Sequence, residues 1–438
     1  MTGPIQRSKE LPDTGTDCLW KSLTQWYPSE GEDFWGSLTG PPLALLLKEA
    51  GYSIHQQVEI LQFHHHWVVP TLGSAPDSNS VFKWQTILNP NGFPLEYAWN
   101  WNTSTGKPQI RTSWEPIGSE AGTDLDPLNQ SLYGEYLDRL AKVAPNTDLS
   151  WSSSLLSSLF SPDKDAYTKS GALDKPSTSL VAGMEFTHLG AFRSKGYFVS
   201  RLPGQKLPLP LSHWSKALRA LNPNLNNKMA VLEEFLTTSS EGKELRPYMA
   251  AVDHHAGPSG SRLKWYMKTA STSFRSVREI MTLGGRISDI DRELDSLYDL
   301  IKRLGLLSAD HPEENETVLP TSENMNFLGI PRTAHYFYYF DIAAYAELPI
   351  IKIYIPLQNY RKNDLDIART IVGWMEVQGR GSYGENYLRV LQGLADGKLD
   401  ECWGYHTFFS FAVKANGKVD VTSYLAPSLS LGVCGSGL

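Results

Sequence analysis

Arg262-Leu263-Lys264-Trp265-Tyr266 reads as a β-strand with a cationic and aromatic face. Residues i and i+2 of a strand project to the same side, so Arg262, Lys264 and Tyr266 share one face. Two other stretches repeat a cation two residues before a tyrosine: Lys195-Gly196-Tyr197 and Lys352-Ile353-Tyr354. Any one of them alone reads as an exposed strand face, where Lys and Tyr are both common. Three together point to a chemistry. Lys and Arg hold an anionic leaving group such as diphosphate, and electron-rich ring faces shelter a carbocation that departs from it.

Around these strands, helices and hairpins alternate. Residues 31–72 read as helical with a turn at Gly51-Tyr52-Ser53, followed by strand-like runs at Phe82–Leu88, Leu95–Trp101 and Gln109–Glu115. Helices are expected at Leu132–Ala144 and Trp151–Phe160, then strands at Leu180–Phe186, Phe192–Ser200, Met249–Val252 and Leu263–Lys268. The clearest helix runs from Ser288 to Leu304. Its apolar Ile290, Leu294, Leu297, Ile301 and Leu304 recur at three- and four-residue spacing, with Ser288 as N-cap and Gly305 as C-terminal stop. After a polar connection from Gly305 to Met325, strands follow at His335–Ile342 and Ile350–Ile355, and helices at Asp364–Val377 and Asn386–Leu394. A final strand pair is expected at Thr407–Val413 and Val419–Leu425. Antiparallel hairpins separated by helical excursions give an α+β chain with one antiparallel sheet. Closing that sheet into a barrel ringed by helices removes its edges and makes the three cation-tyrosine strands converge on one interior. No break in composition divides the chain, so residues 1–438 read as one domain with a loose N-terminal segment over 1–25.

The 438 residues are 20% charged and 41% hydrophobic, an ordinary globular balance. A formal net charge of −7 leaves no broad basic face for a nucleic-acid backbone. Any cation cluster must therefore be local. Thirteen Trp, 20 Tyr and 16 Phe suit a large core or an aromatic-lined cavity. Cys18, Cys402 and Cys434 have no paired spacing, which argues against a disulfide scaffold or a cysteine zinc site and for a reducing compartment. The N-terminus lacks the apolar segment of a secretory signal, and no apolar run approaches the ~20 residues of a membrane span. A cytoplasmic protein is expected.

Several motifs carry less than their letters suggest. Gly379-Arg380-Gly381-Ser382-Tyr383-Gly384 matches GxGxxG, but the mechanism needs a preceding strand and Ile367–Val377 reads as helix; a helix-to-helix turn is expected. Thr282-Leu283-Gly284-Gly285-Arg286 reads as a turn. Consecutive His64-His65-His66 on a helix point about 100° apart and cannot all face one metal ion. Asp291, Asp295 and Asp299 share a solvated helix face. The chain has no DDxxD pair of the kind that holds magnesium-diphosphate, so Lys and Arg must do most of the neutralising of any bound diphosphate. Glu96, in Leu95-Glu96-Tyr97-Ala98-Trp99, either faces a cavity or lies on an exposed strand face beside a lysine; both remain open. Arg111 sits on the expected partner strand.

Together these segments resemble the fungal dimethylallyltryptophan synthase family of soluble aromatic prenyltransferases. The likeness spans nearly the whole chain, from Tyr52-Ser53-Ile54-His55-Gln56-Gln57 through Leu95-Glu96, Arg111, Lys195-x-Tyr197, Arg262-x-Lys264-x-Tyr266, Thr282-Leu283-Gly284-Gly285-Arg286 and Lys352-x-Tyr354-x-Pro356 to Tyr424. It implies an antiparallel barrel of repeated αββα units with the reaction chamber inside. It also implies dimethylallyl diphosphate as co-substrate, with no cofactor or metal required. On this resemblance Arg111, Lys195, Arg262, Lys264 and Lys352 form a diphosphate cradle, Tyr197, Tyr266, Tyr354 and Tyr424 shield the allyl cation, and Glu96 binds the acceptor's N–H or O–H.

The departures bear on the acceptor. Val199 stands where some members carry a further tyrosine, and Asp420 replaces another. The lysine that tryptophan-specific members place about thirteen residues before the Lys195 position is missing, with Ala182 near that point. Arg246 lies near where those members hold the amino-acid carboxylate, although an insertion around Gly257–Gly260 softens that alignment. The resemblance implies a fungal-type secondary-metabolic enzyme moving a dimethylallyl group to an aromatic carbon of an indole alkaloid. Two alternatives stand beside it: the same chemistry on a polyketide-derived phenol such as a xanthone or naphthacenedione, and a non-catalytic barrel binding isoprenoid or aromatic ligands. The expected partners are small molecules, with nucleic acid and membrane excluded and a homodimer left open.

Overall fold

The computed structural model describes residues 16–25, 34–77, 82–84, 86–89, 92–101, 106–144, 146–169, 178–205, 209–255, 262–317, 335–360, 362–414 and 416–427. Its centre is a closed barrel. The strands are β1 (Leu95–Asn100), β2 (Gln109–Trp114), β3 (Leu180–Phe186), β4 (Phe192–Phe198) and β5 (Arg246–Asp253), then β6 (Leu263–Thr269), β7 (Tyr336–Ile342), β8 (Ile350–Ile355), β9 (His406–Val413) and β10 (Val419–Leu425). Each is antiparallel to the next in chain order, and β1 closes the ring on β10. Closure satisfies the backbone donors and acceptors of every strand and leaves no edge for another chain to extend.

Helices lie between the hairpins: Ser131–Val143 and Ser150–Leu159 follow β2, Leu211–Arg219 and Asn226–Thr238 follow β4, Phe274–Met281 and Asp291–Arg303 follow β6, and Asp364–Val377 and Gly384–Leu394 follow β8. Their apolar faces meet the outside of the barrel. On β6, Leu263, Trp265 and Met267 are fully buried and alternate with Lys264 and Tyr266, which line the lumen. On β8, Ile351, Ile353 and Ile355 play the outward part. The helices supply the other half of this layer, for instance Val277 and Ile280 from one and Leu294, Leu297 and Leu300 from the next. The hydrophobic core is therefore a sleeve between barrel and helices. Each fully buried aliphatic or aromatic side chain in it stabilises the fold by roughly 1.5–3 kcal/mol, which leaves the lumen free to carry polar chemistry.

Most expected elements recur within two residues, and the exceptions have physical causes. The run Phe82–Leu88 contains no strand among its described residues; the closed ring offers it no edge to pair with. The long helix starts at Asp291, not Ser288, because Asp289 adopts φ 63°, outside helical space; Gly305, at φ 65°, ends it as expected. β5 reaches back to Arg246 because a register shift between Pro247 and Met249 accommodates the proline's missing donor. Helices Leu211–Arg219 and Asn226–Thr238 were not anticipated. Residues Thr16–Thr24, expected to be loose, form a helix whose Trp20 is buried beside His64. Cys402 is disulfide-bonded, a correction to the expectation of unpaired thiols. The GxGxxG letters are a turn between two helices, with Gly379 at φ 69°. Gly257–Gly260 lies outside the described residues.

Candidate active site

Alternation turns the charged residues of eight strands, β2 to β8 and β10, into the lumen. Arg111 lies opposite Glu185 in the register of β2 and β3, Lys195 opposite Asp253 in β4 and β5, and Lys264 opposite Asp341 in β6 and β7. Side chains close further pairs. Lys195 Nζ lies 2.7 Å from Glu185 Oε2 and Arg111 3.3 Å from Glu185 Oε1. Asp253 accepts from Arg262 Nε at 2.8 Å and Lys264 Nζ at 3.2 Å. Asp420 accepts from Lys352 at 2.6 Å and Lys414 at 2.9 Å. Cations outnumber carboxylates in this belt, so it retains positive charge in a low-dielectric enclosure.

The pairing sets protonation. Burial alone would raise the Glu185 carboxyl, yet Arg111 and Lys195 hold it well below the usual carboxylate range. Asp253 and Asp420 are held low in the same way by Lys264 and Lys352, respectively, with neighbouring cations adding to the effect. Burial draws Lys264 and Lys352 below the ordinary ammonium value, and Asp253 and Asp420 oppose it. Each carboxylate thus keeps a desolvated cation charged.

Next to the charges lies a layer of phenol rings. Tyr266 sits 6.2 Å from Tyr197, 5.3 Å from Tyr339 and 6.0 Å from Tyr354 between ring centroids, and Tyr354 lies 5.5 Å from Tyr424. Tyr424 donates its hydroxyl to that of Tyr354 at 3.3 Å. Lys352 Nζ stands 5.8 Å from the Tyr339 ring centroid, joining the two layers. Gly183 makes room for Tyr197, since a Cβ there would lie 2.9 Å from Tyr197 Cε2. These residues surround a cavity with about 470 Å³ of empty volume, part of it continuous with solvent.

Glu96 lies on β1, two residues from the cavity-lining Ala98 and therefore on the same strand face. It is 8% exposed. Its Oε1 accepts from the Thr407 hydroxyl at 2.6 Å. Burial pushes its carboxyl up to about 8, with Thr407 drawing it back. A carboxyl in this state exchanges a proton near neutral pH and can accept a hydrogen from an N–H or O–H.

The structure brings Arg111, Lys195, Tyr197, Lys264, Tyr266, Lys352, Tyr354 and Tyr424 around one cavity. Arg262 joins at its rim through Asp253 and Asp341. Arg246 does not join them: it stands exposed at the start of β5 and pairs with Glu244. Ala182 points outward into the sleeve opposite Gly196, so the lumen position on that strand is Gly183. The strand reading missed Glu185, Asp253, Asp341 and Tyr339. Tyr339-x-Asp341 mirrors Lys264-x-Tyr266 and was the available signal, visible only once the pairing of β6 with β7 is known.

A family model described as tryptophan dimethylallyltransferase matches residues 31–390. Xanthone prenyltransferase A of Emericella nidulans is 42% identical over 90% of this chain and 91% of its own length. Xanthone prenyltransferase B of the same organism is 38% identical over 97% of this chain and 94% of its own. The crystal structure of AnaPT from Neosartorya fischeri shares the fold with a TM-score of 0.78 at 23% identity, covering 96% of this chain and 100% of that one. A barrel with this lumen, a family model over most of its length and relatives near 40% identity converge: the chain belongs to the tryptophan dimethylallyltransferase family and is a prenyltransferase.

Proposed function

We propose that the chain, working as one domain, transfers a dimethylallyl group from dimethylallyl diphosphate to a ring carbon of a fused aromatic phenol. The observation that carries this is the layering of the lumen, with a net cationic belt, a tyrosine layer and one buried carboxyl in sequence. Arg111, Lys195, Arg262, Lys264 and Lys352 bind the diphosphate and take up the charge that develops as the allylic C–O bond breaks. Tyr197, Tyr266, Tyr339, Tyr354 and Tyr424 face the allyl cation and exclude water from it. Glu96 accepts a hydrogen bond from the acceptor hydroxyl, which raises electron density in the ring. The ring carbon attacks the cation, a C–C bond forms, and the proton on that carbon passes to the released diphosphate, which restores aromaticity.

A phenolic acceptor is preferred to the indole expected from sequence resemblance because two relatives aligned over nearly their whole lengths bear xanthone in their names. An indole N–H would engage Glu96 by the same geometry. Among the described residues no helix is long and apolar enough to cross a membrane. Incubation of the protein with dimethylallyl diphosphate and a panel of hydroxyxanthones, naphthacenediones and indole alkaloids, with NMR of each product, tests the assignment. C-prenylated phenols are the expected products; turnover confined to indoles would overturn the acceptor class.

A further inference from the structure

β9 and β10 pair Phe409 with Ser423 and His406 with Leu425, so Thr407 and Phe408 together oppose the single residue Tyr424. This is a β-bulge, which turns two successive side chains away from strict alternation. Phe408 goes to the lumen, its ring 6.4 Å from Tyr354 and 5.7 Å from Phe337. Without the bulge Thr407 would follow Phe409 and Phe411 into the outer sleeve. Instead its hydroxyl reaches past β10 to Glu96 on β1 at 2.6 Å.

The strand is clamped immediately before this point. Asp364, the first residue of the helix Asp364–Val377, accepts from the backbone N–H of Tyr405 and of His406, each at 2.9 Å, and its Oδ1 lies 2.6 Å from His406 Nδ1. His406 Nε2 in turn meets the Tyr387 hydroxyl at 2.8 Å. Asp364 and His406 are both fully buried. A bulge held this tightly has little freedom, and Thr407 is correspondingly fixed.

We infer that Thr407 is the positioning residue for Glu96 in the prenyl transfer proposed above, an inference that rests on the acceptor role of Glu96. By donating to Oε1 it fixes the carboxylate plane, leaves Oε2 to meet the acceptor's O–H, and favours the charged form that can accept that hydrogen. Around Glu96, Ser113 lies opposite on β2, and Tyr424 on β10 is the titratable side chain that senses its charge. Among the described residues it is Thr407 that donates to the Glu96 carboxyl, and it does so from a fixed geometry.

The test compares Thr407→Val, which keeps the shape and removes the donor, with Thr407→Ser, which restores it, using a hydroxyxanthone as acceptor. Thr407→Val is expected to lower kcat/KM for the acceptor about tenfold, move the acid limb of its pH profile upward, and leave affinity for a dimethylallyl thiolodiphosphate analogue within about twofold. Thr407→Ser should recover most of the loss. Infrared difference spectroscopy gives a readout independent of turnover: the protonated-carboxyl band abolished by Glu96→Gln should titrate at higher pH in Thr407→Val. If the valine variant unfolds, Thr407→Ala carries the same comparison. A normal Thr407→Val profile beside a crippled Glu96→Gln enzyme would overturn this inference and leave the Glu96 role standing. Normal turnover by Glu96→Gln would overturn both.

Discussion

Lys352 Nζ lies 2.6 Å from Asp420 Oδ1 although the two residues sit on β8 and β10, with β9 between them. Both are in register with Ala412 of β9, whose methyl is small enough for the two side chains to meet above it. Asp420 takes a position where a tyrosine was expected by resemblance. The gain is a counterion for a lysine that is only 2% exposed. A larger residue at 412 would separate the pair and leave a buried ammonium unpaired, which costs several kcal/mol.

Charge-to-alanine substitutions should rank by burial. Lys352→Ala and Lys264→Ala are expected to weaken binding of a thiolodiphosphate donor analogue by about ten- to a hundredfold, the scale of one charge-assisted hydrogen bond. Arg262→Ala should cost less, because its side chain is 37% exposed. Isothermal titration measures all three. Equal, unchanged affinities would show that these cations serve only their carboxylate partners.

Glu96→Gln keeps the shape of the side chain and removes its ionisable carboxyl. Transfer should fall at least about tenfold while donor affinity stays nearly intact. Loss of donor binding with acceptor binding preserved would assign Glu96 to the other substrate.

The same variant should change how stability depends on pH. Burial places the Glu96 carboxyl at about 8 and the Glu115 carboxyl at about 7, against about 4.3 in an unfolded chain. Between about 4.3 and those values the folded state holds protons that the unfolded state has released, so stability from these groups falls as pH rises. Glu96→Gln removes one such group. Its melting temperature should decline less than the parent's between pH 5 and 8 in scanning calorimetry, and parallel curves would contradict the buried state of this carboxyl. Glu185, Asp253 and Asp420 act in the opposite sense: their stabilisation is present above the ordinary carboxylate range and is lost as pH falls through their depressed folded values.

Gly183→Ala should be destabilising and slow. Its new Cβ would stand 2.9 Å from Tyr197 Cε2, so the ring must move or the strand must shift, at a cost of about 1–3 kcal/mol. A reduced melting temperature together with more solvolysis of the donor per transfer is the expected result. Unaltered partitioning between water and acceptor would mean that Tyr197 does not help shield the cation.

Prenyl transfer is expected to persist in excess EDTA, since the lumen cations can neutralise a diphosphate. Activity that vanishes with chelation and returns only with magnesium would show that this belt is insufficient.

The alternation of Arg262, Lys264 and Tyr266, repeated in Lys195-x-Tyr197 and Lys352-x-Tyr354, was legible because the two faces of a strand are a local property with a period of two residues. The same locality made the helix Asp364–Val377 readable to its ends, and the sequence alone determined that cations and tyrosines would share strand faces. It did not determine their partners. Glu185 with Lys195, Asp341 with Arg262 and Asp420 with Lys352 meet only when strands pair in a particular register, and register is a relation between strands that neither carries alone. Arg246, set near the acceptor by resemblance, stands exposed at the start of β5, and Ala182 and Gly183 fall on opposite sides because one residue of slip exchanges lumen for sleeve. Thr407 is the extreme case: by alternation it belongs outside, and a bulge opposite Tyr424 brings it to Glu96. Only the tertiary structure decides such a contact, because a bulge exists in the pairing of two strands and not in either one.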